Sequence, residues 1–243
     1  MKNKLFTISL LMAVFMSSCT DSASDEFDDA NENAEARYIK TITSSSPGDE
    51  PSTATINYDA SGKVTNISDG DESSTFVYEN NNLTSVTGEG DLFQISQLYQ
   101  APYEAYDVGQ VLEYDAKGNP TKIRLFEENI NGVIEEFSAS VTYDTAPNSL
   151  FHTLKAAGII DVLDNIRLNL NMQNMPQQIV RAKVLLPVNN PTRVVIKDIR
   201  DAVVSTTVTN YTYNSFNYPT SAVATTTEQG NIETTNFTFT YKE

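Results

Sequence analysis

LEYDAKGNPTKI, Leu112–Ile123, nearly repeats INYDASGKVTNI, Ile56–Ile67. Each begins apolar-x-Tyr, and residues two apart on a strand share one face, so the pair marks a packed side. β-branched and aromatic residues favour such a surface. The Asp after Tyr (Asp59, Asp115) bonds its own backbone to start a turn. Gly62 and Gly118 supply a positive φ that a Cβ would penalise. Pro120 then opens the next strand, where a missing N–H does little harm. Each stretch therefore specifies a β-hairpin.

The pattern recurs. Apolar-x-Tyr returns at Phe76–Tyr78, Val141–Tyr143, Tyr211–Tyr213 and Phe239–Tyr241. A Thr with a small apolar residue two later follows at Thr65, Thr84, Thr121, Thr192 and Thr220. Strands are expected near 37–44, 53–58, 63–68, 74–79, 83–87, 92–99, 110–115, 121–128, 133–143, 178–186, 192–198, 203–213, 220–227 and 233–242. About fourteen strands in sequence order favour a mainly β, antiparallel meander. Periodicity leaves its closure open between a curved sheet, a sandwich and a barrel.

One turn is interrupted. Between Tyr143 and Thr192 the usual short connection is greatly expanded. Asn148 or Ser149 reads as a helix cap, and Leu150, Phe151, Leu154 and Ala157 recur at helical spacing. Gly158 is expected to stop or kink that helix, and Ile160, Leu163 and Ile166 to continue it. The expectation is a short helical insert near 149–170, laid over a sheet face or plugging one end.

The N-terminus reads as an export signal, residues 1–18. Lys2 and Lys4 precede an apolar run, Leu5 to Met16, too short to span a bilayer. The run ends at Met16-Ser17-Ser18-Cys19, and Cys19 is the only cysteine. That arrangement resembles the lipobox of bacterial lipoproteins, which implies lipidation of Cys19 and anchoring by acyl chains, palmitate among them. With Cys19 modified, no thiol is left for disulfides or catalysis. Residues 19–36 hold seven acids and no base, and read as the lipidated Cys with a disordered acidic tether. An acidic run at this place resembles the signal that sends Bacteroidetes lipoproteins to the outer face of the outer membrane. A spacer facing the periplasm is the alternative.

Residues 37–243 form one expected β-rich domain with 14 Lys and Arg against 25 Asp and Glu, a net −11. So acidic a body repels nucleic acid.

The Tyr-Asp-x-x-Gly turns at 58–62 and 114–118 resemble the YD repeats of Rhs-type proteins. The lipobox, acidic tether, YD-like hairpins, helical insert and Asn-Pro-Thr strand starts (Asn119–Thr121, Asn190–Thr192) together resemble a family of uncharacterised Bacteroidetes outer-membrane lipoproteins. Their β-domain of unknown function is described as porin-like. Tyr218-Pro219-Thr220 departs from the Asn-Pro-Thr pattern by one residue. The resemblance implies location and fold, and brings no catalytic residue.

Candidate chemistry is sparse. His152 is the only histidine, no Gly-x-Ser-x-Gly is present, and too few His and Cys remain for a zinc-type site, so no catalytic residue, metal or cofactor is assigned. Asp69-Gly70-Asp71-Glu72 lacks the ligand spacing of a calcium loop and reads as an acidic turn. Tyr99, Tyr103 and Tyr106 lie outside the repeat and form the candidate contact surface, expected in a loop. Ser22, in Asp21-Ser22-Ala23, resembles a Bacteroidetes O-glycosylation acceptor. The reading is a surface-exposed, membrane-anchored, non-enzymatic binding or envelope-interaction module, with a glycan or envelope protein as partner. An extracellular glycan hydrolase with an unmarked carboxylate pair and a purely structural envelope component are the alternatives.

Overall fold

The computed structural model describes residues 31–88, 91–99, 103–104, 110–128, 132–170 and 178–242. Its frame is a thirteen-stranded sheet built from two meanders. The first runs β1 (Ile39–Ser45), β2 (Ser52–Tyr58), β3 (Val64–Ser68), β4 (Ser73–Glu79), β5 (Asn82–Gly88) and β6 (Asp91–Gln94). After the two-residue β7 (Tyr103–Glu104), the second meander begins with β8 (Gln110–Tyr114), β9 (Pro120–Glu128) and β10 (Ile134–Pro147). Past the insert it resumes with β13 (Asn189–Asp198), β14 (Val203–Tyr213), β15 (Pro219–Glu228) and β16 (Asn231–Tyr241). Antiparallel pairing of β1 with β16 joins the halves, so the sheet is one layer with edges at β6 and β8.

The insert holds two short helices, α1 (Phe151–Ala156) and α2 (Ile159–Asn165), then β11 (Arg167–Leu170) and β12 (Gln178–Arg181). β12, β11 and β7 form a separate small sheet in which β7 pairs parallel with β11. The insert and the β6–β8 connection are thereby tied together.

Thirteen strands, not fourteen, belong to the meander. The segment expected as strand 178–186 leaves it: β12 ends at Arg181 and a 3₁₀ turn, Ala182–Leu185, follows. Buried Ala182 donates its amide to the Ile166 carbonyl at 2.9 Å, which turns the chain back onto α2. The strand expected over 92–99 stops at Gln94 and becomes a 3₁₀ turn, Ile95–Tyr99, because Ile95 and Leu98 both pack on Leu83 and its neighbours. Such i, i+3 spacing brings two side chains to one side of a tight helix.

The repeat explains the sheet in detail. Register shifts fall at Asn57/Tyr58, Val77/Tyr78, Glu113/Tyr114, Thr142/Tyr143 and Thr212/Tyr213, one bulge at the Tyr of each of these five copies. Across each bulge the repeat Thr donates its Oγ1 to the carbonyl just before that Tyr. These bonds run from Thr65 to Asn57, Thr84 to Val77, Thr121 to Glu113, Thr192 to Thr142 and Thr220 to Thr212, at 3.1–3.3 Å. A bulge increases local twist and re-aims a side chain, and the side chain re-aimed here is tyrosine. The hydroxyls of Tyr58, Tyr78, Tyr143 and Tyr241 donate to the first carbonyl of the preceding strand, on Ile39, Val64, Pro120 and Pro219, at 2.6–2.7 Å. Tyr211, two residues before the bulged Tyr213, donates to the carbonyl of Pro191, the third residue of β13, at 3.0 Å.

The Asp turns are equally regular. Asp59 Oδ1 accepts from the amides of Ser61 and Lys63, and Asp115 Oδ1 from those of Lys117 and Asn119. Asn214 repeats the arrangement with Phe216 and Tyr218, and Asn217 at φ 62° stands where the other copies have glycine.

Candidate functional site

The interrupted turn keeps the repeat's bonding. Asp144 Oδ1 accepts from the Ala146 amide at 3.0 Å, as Asp115 does from its second neighbour. The other amide it accepts comes from Asn190, at 3.1 Å. Asn190-Pro191-Thr192 then continues as Asn119-Pro120-Thr121 does. The insert is thus spliced between the second and fourth positions of one Asp turn, and the turn closes around it.

Buried asparagines lock that splice. Asn190 Nδ2 donates to Asp144 Oδ2 and to the Pro147 carbonyl, while its Oδ1 accepts from the Ser149 amide. Asn119, fully buried, donates to Asn189 Oδ1 at 2.9 Å and accepts from the Asn189 amide at 2.8 Å. Asn148 Nδ2 donates to the Pro187 carbonyl. Asn31, 1% exposed, accepts from the Asn148 amide and donates to the Val188 carbonyl. Chain that composition assigns to the acidic tether is therefore seated against the base of the insert. Glu32 continues the contact through an ion pair with Lys155.

Asn148 organises the entry to α1 from two positions before the N-cap: its Oδ1 accepts from the amide of Leu150, the N-cap residue. The insert then binds the sheet. Thr153 Oγ1 accepts from the Ile39 amide at 2.9 Å. Ala157 packs among Ile39, Ile56 and Val64, all buried. Phe151, fully buried, packs with Ile160 and Val188. Gly158 ends α1 and N-caps α2 at φ 73°, and a Cβ there would lie 3.1 Å from Leu83 Cβ. The corner between the helices touches β5 because this residue has no side chain.

Beside that contact lies an open cleft of about 520 Å³ between β5, the Ile95–Tyr99 turn and α2. Ligand clefts of roughly 300–1,000 Å³ are typical for small molecules. Its floor is apolar, formed by buried Leu83, Ile95 and Val162. Its rim is polar, with Glu79, Gln94, Tyr99, Asp161 and Asn165 all exposed. Burial raises the Tyr99 hydroxyl above its ordinary range, and the Asp161 carboxylate pushes it further in the same direction.

Of the residues singled out in the sequence, Tyr99 lines this cleft and is 44% exposed. Tyr103 lies in β7, paired with Leu168, and so in a strand rather than the loop expected for it. Tyr106, Cys19 and Ser22 lie outside the described residues. Asp69 Oδ1 accepts from the amides of Asp71 and Glu72, so this carboxylate closes its own turn. Among the described residues no group of three or more His, Cys, Asp or Glu could hold a metal ion. His152 is 8% exposed, edge-on to Tyr38 and Phe151. Glu79 and Asp161 carry no sequence signal; only the fold of the insert brings them to one cleft.

No protein-family model matches the chain, and no curated protein does. Among solved structures, the chain is similar to a porin-like protein from Bacteroides vulgatus ATCC 8482. The TM-score is 0.45 at 10% identity, over 85% of this chain and 99% of that one. A porin-like protein from Bacteroides uniformis ATCC 8492 gives 0.42 at 15% identity, over 84% and 98%. A LolA superfamily protein from Nitrosomonas europaea gives 0.25 at 10% identity, over 91% of each chain. Superpositions this loose leave function to the chain's own residues.

Proposed function

We propose that this chain is an outer-membrane lipoprotein, anchored through Cys19 and facing the cell exterior, whose β-domain is a non-enzymatic binding module for a glycan. The lipobox-like Met16–Cys19 and the acidic run behind it support the anchor and its side of the membrane. The observation that carries the binding role is the cleft made by grafting an insert into one repeat turn. The other repeat groups are engaged in holding strands and turns, whereas the cleft rim presents carboxylates, amides and a phenol over an apolar floor. Carboxylate and amide oxygens accept from vicinal hydroxyls, and an aromatic ring packs on the apolar face of a sugar.

Binding of the exported chain without its lipid (residues 20–243) to a glycan array tests this reading. Retained glycans should be lost in a Tyr99→Ala protein and held more weakly by an Asp161→Asn protein, both melting like the parent. An array with no retained glycan, or retention unchanged by both substitutions, overturns the assignment of this cleft. Protease shaving of intact cells tests the location: release of the domain is expected, and full protection places it on the periplasmic face.

A second reading is favoured by one observation. Glu79 and Asp161 line the same cleft, and a carboxylate pair is what glycoside hydrolysis requires. Turnover of a bound polysaccharide that disappears in Glu79→Gln would put this reading first.

A further inference from the structure

Among the described residues, the rim of the cleft carries acids and no base. Glu79 and Asp161 are its only charged lining residues among those described. Neither carboxylate has a hydrogen-bond or ion-pair partner among the described side chains, unlike those of Asp59, Asp115, Asp144 and Asp198, which their own turns occupy. Lys63 reaches the adjacent β4–β5 turn, but its ammonium is directed onto the Asn81 carbonyl and the Tyr78 ring. Asn165 turns its amide nitrogen back to the Asp161 carbonyl in α2, leaving its side-chain oxygen as an acceptor. Tyr99 sits close enough to Asp161 for the carboxylate to act on its hydroxyl. The cleft therefore offers two unneutralised acceptors, further neutral acceptors and one aromatic ring over an apolar floor.

A charge-assisted hydrogen bond from an ammonium to a carboxylate is roughly twice as strong as a neutral one. An ammonium can also lie over a tyrosine face. An anionic group placed between these carboxylates meets only repulsion, reinforced by the chain's net charge of −16. We propose that the cleft selects a saccharide bearing a free amine, held by Asp161 and Glu79 with its ring against Tyr99, over N-acetylated and anionic saccharides. This rests on the glycan-binding reading above and names the substrate class of that same site.

The test uses the full exported protein in detergent micelles, titrated calorimetrically with three oligosaccharide probes of equal length: glucosamine, N-acetylglucosamine and galacturonate oligomers. Glucosamine oligomers are expected to bind roughly ten-fold more tightly than the N-acetylated ones, the gain from one charge-assisted bond, and the uronates not measurably. Asp161→Asn combined with Glu79→Gln should bring the glucosamine oligomers down to the affinity of the N-acetylated ones, which the same variant holds more weakly than the parent does. Both residues are exposed, so the double variant is expected to melt like the parent, and its melting curve is recorded alongside. Equal affinity for the amine and N-acetyl oligomers, or tight binding of the uronate, overturns the charge selection and leaves glycan binding standing. A preference that survives the double substitution assigns it to the acidic surface at large and also overturns it. Binding of none of the three overturns the amine selection, and together with an array that retains no glycan it overturns both readings.

Discussion

Asp144 accepts a hydrogen bond from the backbone amide of Asn190, forty-six residues along the chain, in the role that Asn119 plays for Asp115 four residues along. One carboxylate therefore closes a turn whose loop has become a subdomain. Loop closure costs entropy that grows with length, and the Asn190 side chain offsets it with three further bonds at the neck of the insert. Asn190→Ala should cost roughly 2–4 kcal/mol, since Asp144, Pro147 and Ser149 each lose a partner in a part-buried site. Asn190→Asp should be worse at neutral pH, because it faces Asp144 with a like charge, and should recover partly on acidification. Urea denaturation checks both; parent-like stability of Asn190→Ala would contradict the role of the neck.

Gly158 has two constraints at once, a φ of 73° and a Cβ position 3.1 Å from Leu83 Cβ. Gly62, at φ 88°, has the first alone, with nothing within 4 Å of its Cβ position. An alanine at either site suffers about 1–2 kcal/mol of left-handed strain. Only at Gly158 must the helix corner also lift from β5. Gly62→Ala is expected to lower the melting temperature and leave cleft binding intact. Gly158→Ala should lower it further and weaken glycan binding, measured by the same titrations. Equal binding by the two variants would show that the close contact with Leu83 does not shape the cleft.

Much of this fold is legible in the chain because each hairpin carries its own instructions. Tyr58, Asp59, Gly62 and Thr65 are read one by one, and the structure uses each at the expected place. A turn written in other letters escapes notice even where its copy is seen: Asn214 substitutes for Asp, and Asn217 adopts the left-handed conformation that Gly62 supplies elsewhere. β7 and β11 escape because two and four residues are too short to show a period. The run 178–186 is apolar enough to read as strand throughout, and only the bond from Ala182 to Ile166 decides where it turns. Asn119 and Asn190 are visible as strand starts, but their burial against Asn189 and Pro147 depends on contacts across the insert. The cleft is least legible of all, since Glu79, Tyr99 and Asp161 lie on three elements and share no motif.

The tyrosine staples should be visible in alkali. Burial raises the hydroxyls of Tyr78 and Tyr211 to about 12, and those of Tyr58, Tyr143 and Tyr241 also move upward for the same reason. A folded value above the unfolded one of about 10 means that the native state holds protons the unfolded chain gives up. Their contribution is complete below pH 10 and is lost as pH rises through the folded values. Absorbance at 295 nm is expected to show these five of the twelve tyrosines staying protonated beyond the pH at which an unfolded chain ionises, followed by cooperative ionisation as the sheet unfolds. Tyr143→Phe should remove one late-titrating group and about 1 kcal/mol with the bond to Pro120. Independent ionisation of all twelve near pH 10 in a folded protein would contradict the staples.

His152 sets the response to acid. Burial lowers its pKa below 6.5, the Lys155 ammonium lowers it further, and Glu32 pulls weakly the other way. Phe151 and Tyr38 pack against the ring, and Nε2 meets no hydrogen-bond partner among the described residues. Between the depressed folded value and the unfolded one, the unfolded chain binds the proton more readily, so stability rises with pH. Stability is therefore greatest above about 6.5 and falls as pH drops through the folded value. A second loss should begin near pH 4, where Asp59, Asp69 and Asp198, held below the usual carboxylate range by their turn bonds, are forced to protonate. His152→Phe keeps an aromatic ring between Tyr38 and Phe151 and removes the titration. Denaturation midpoints from pH 8 down to about pH 2 are expected to show a first decline in the parent that is absent from the variant, with the carboxylate decline common to both. Parallel curves throughout would place the acid sensitivity outside the insert.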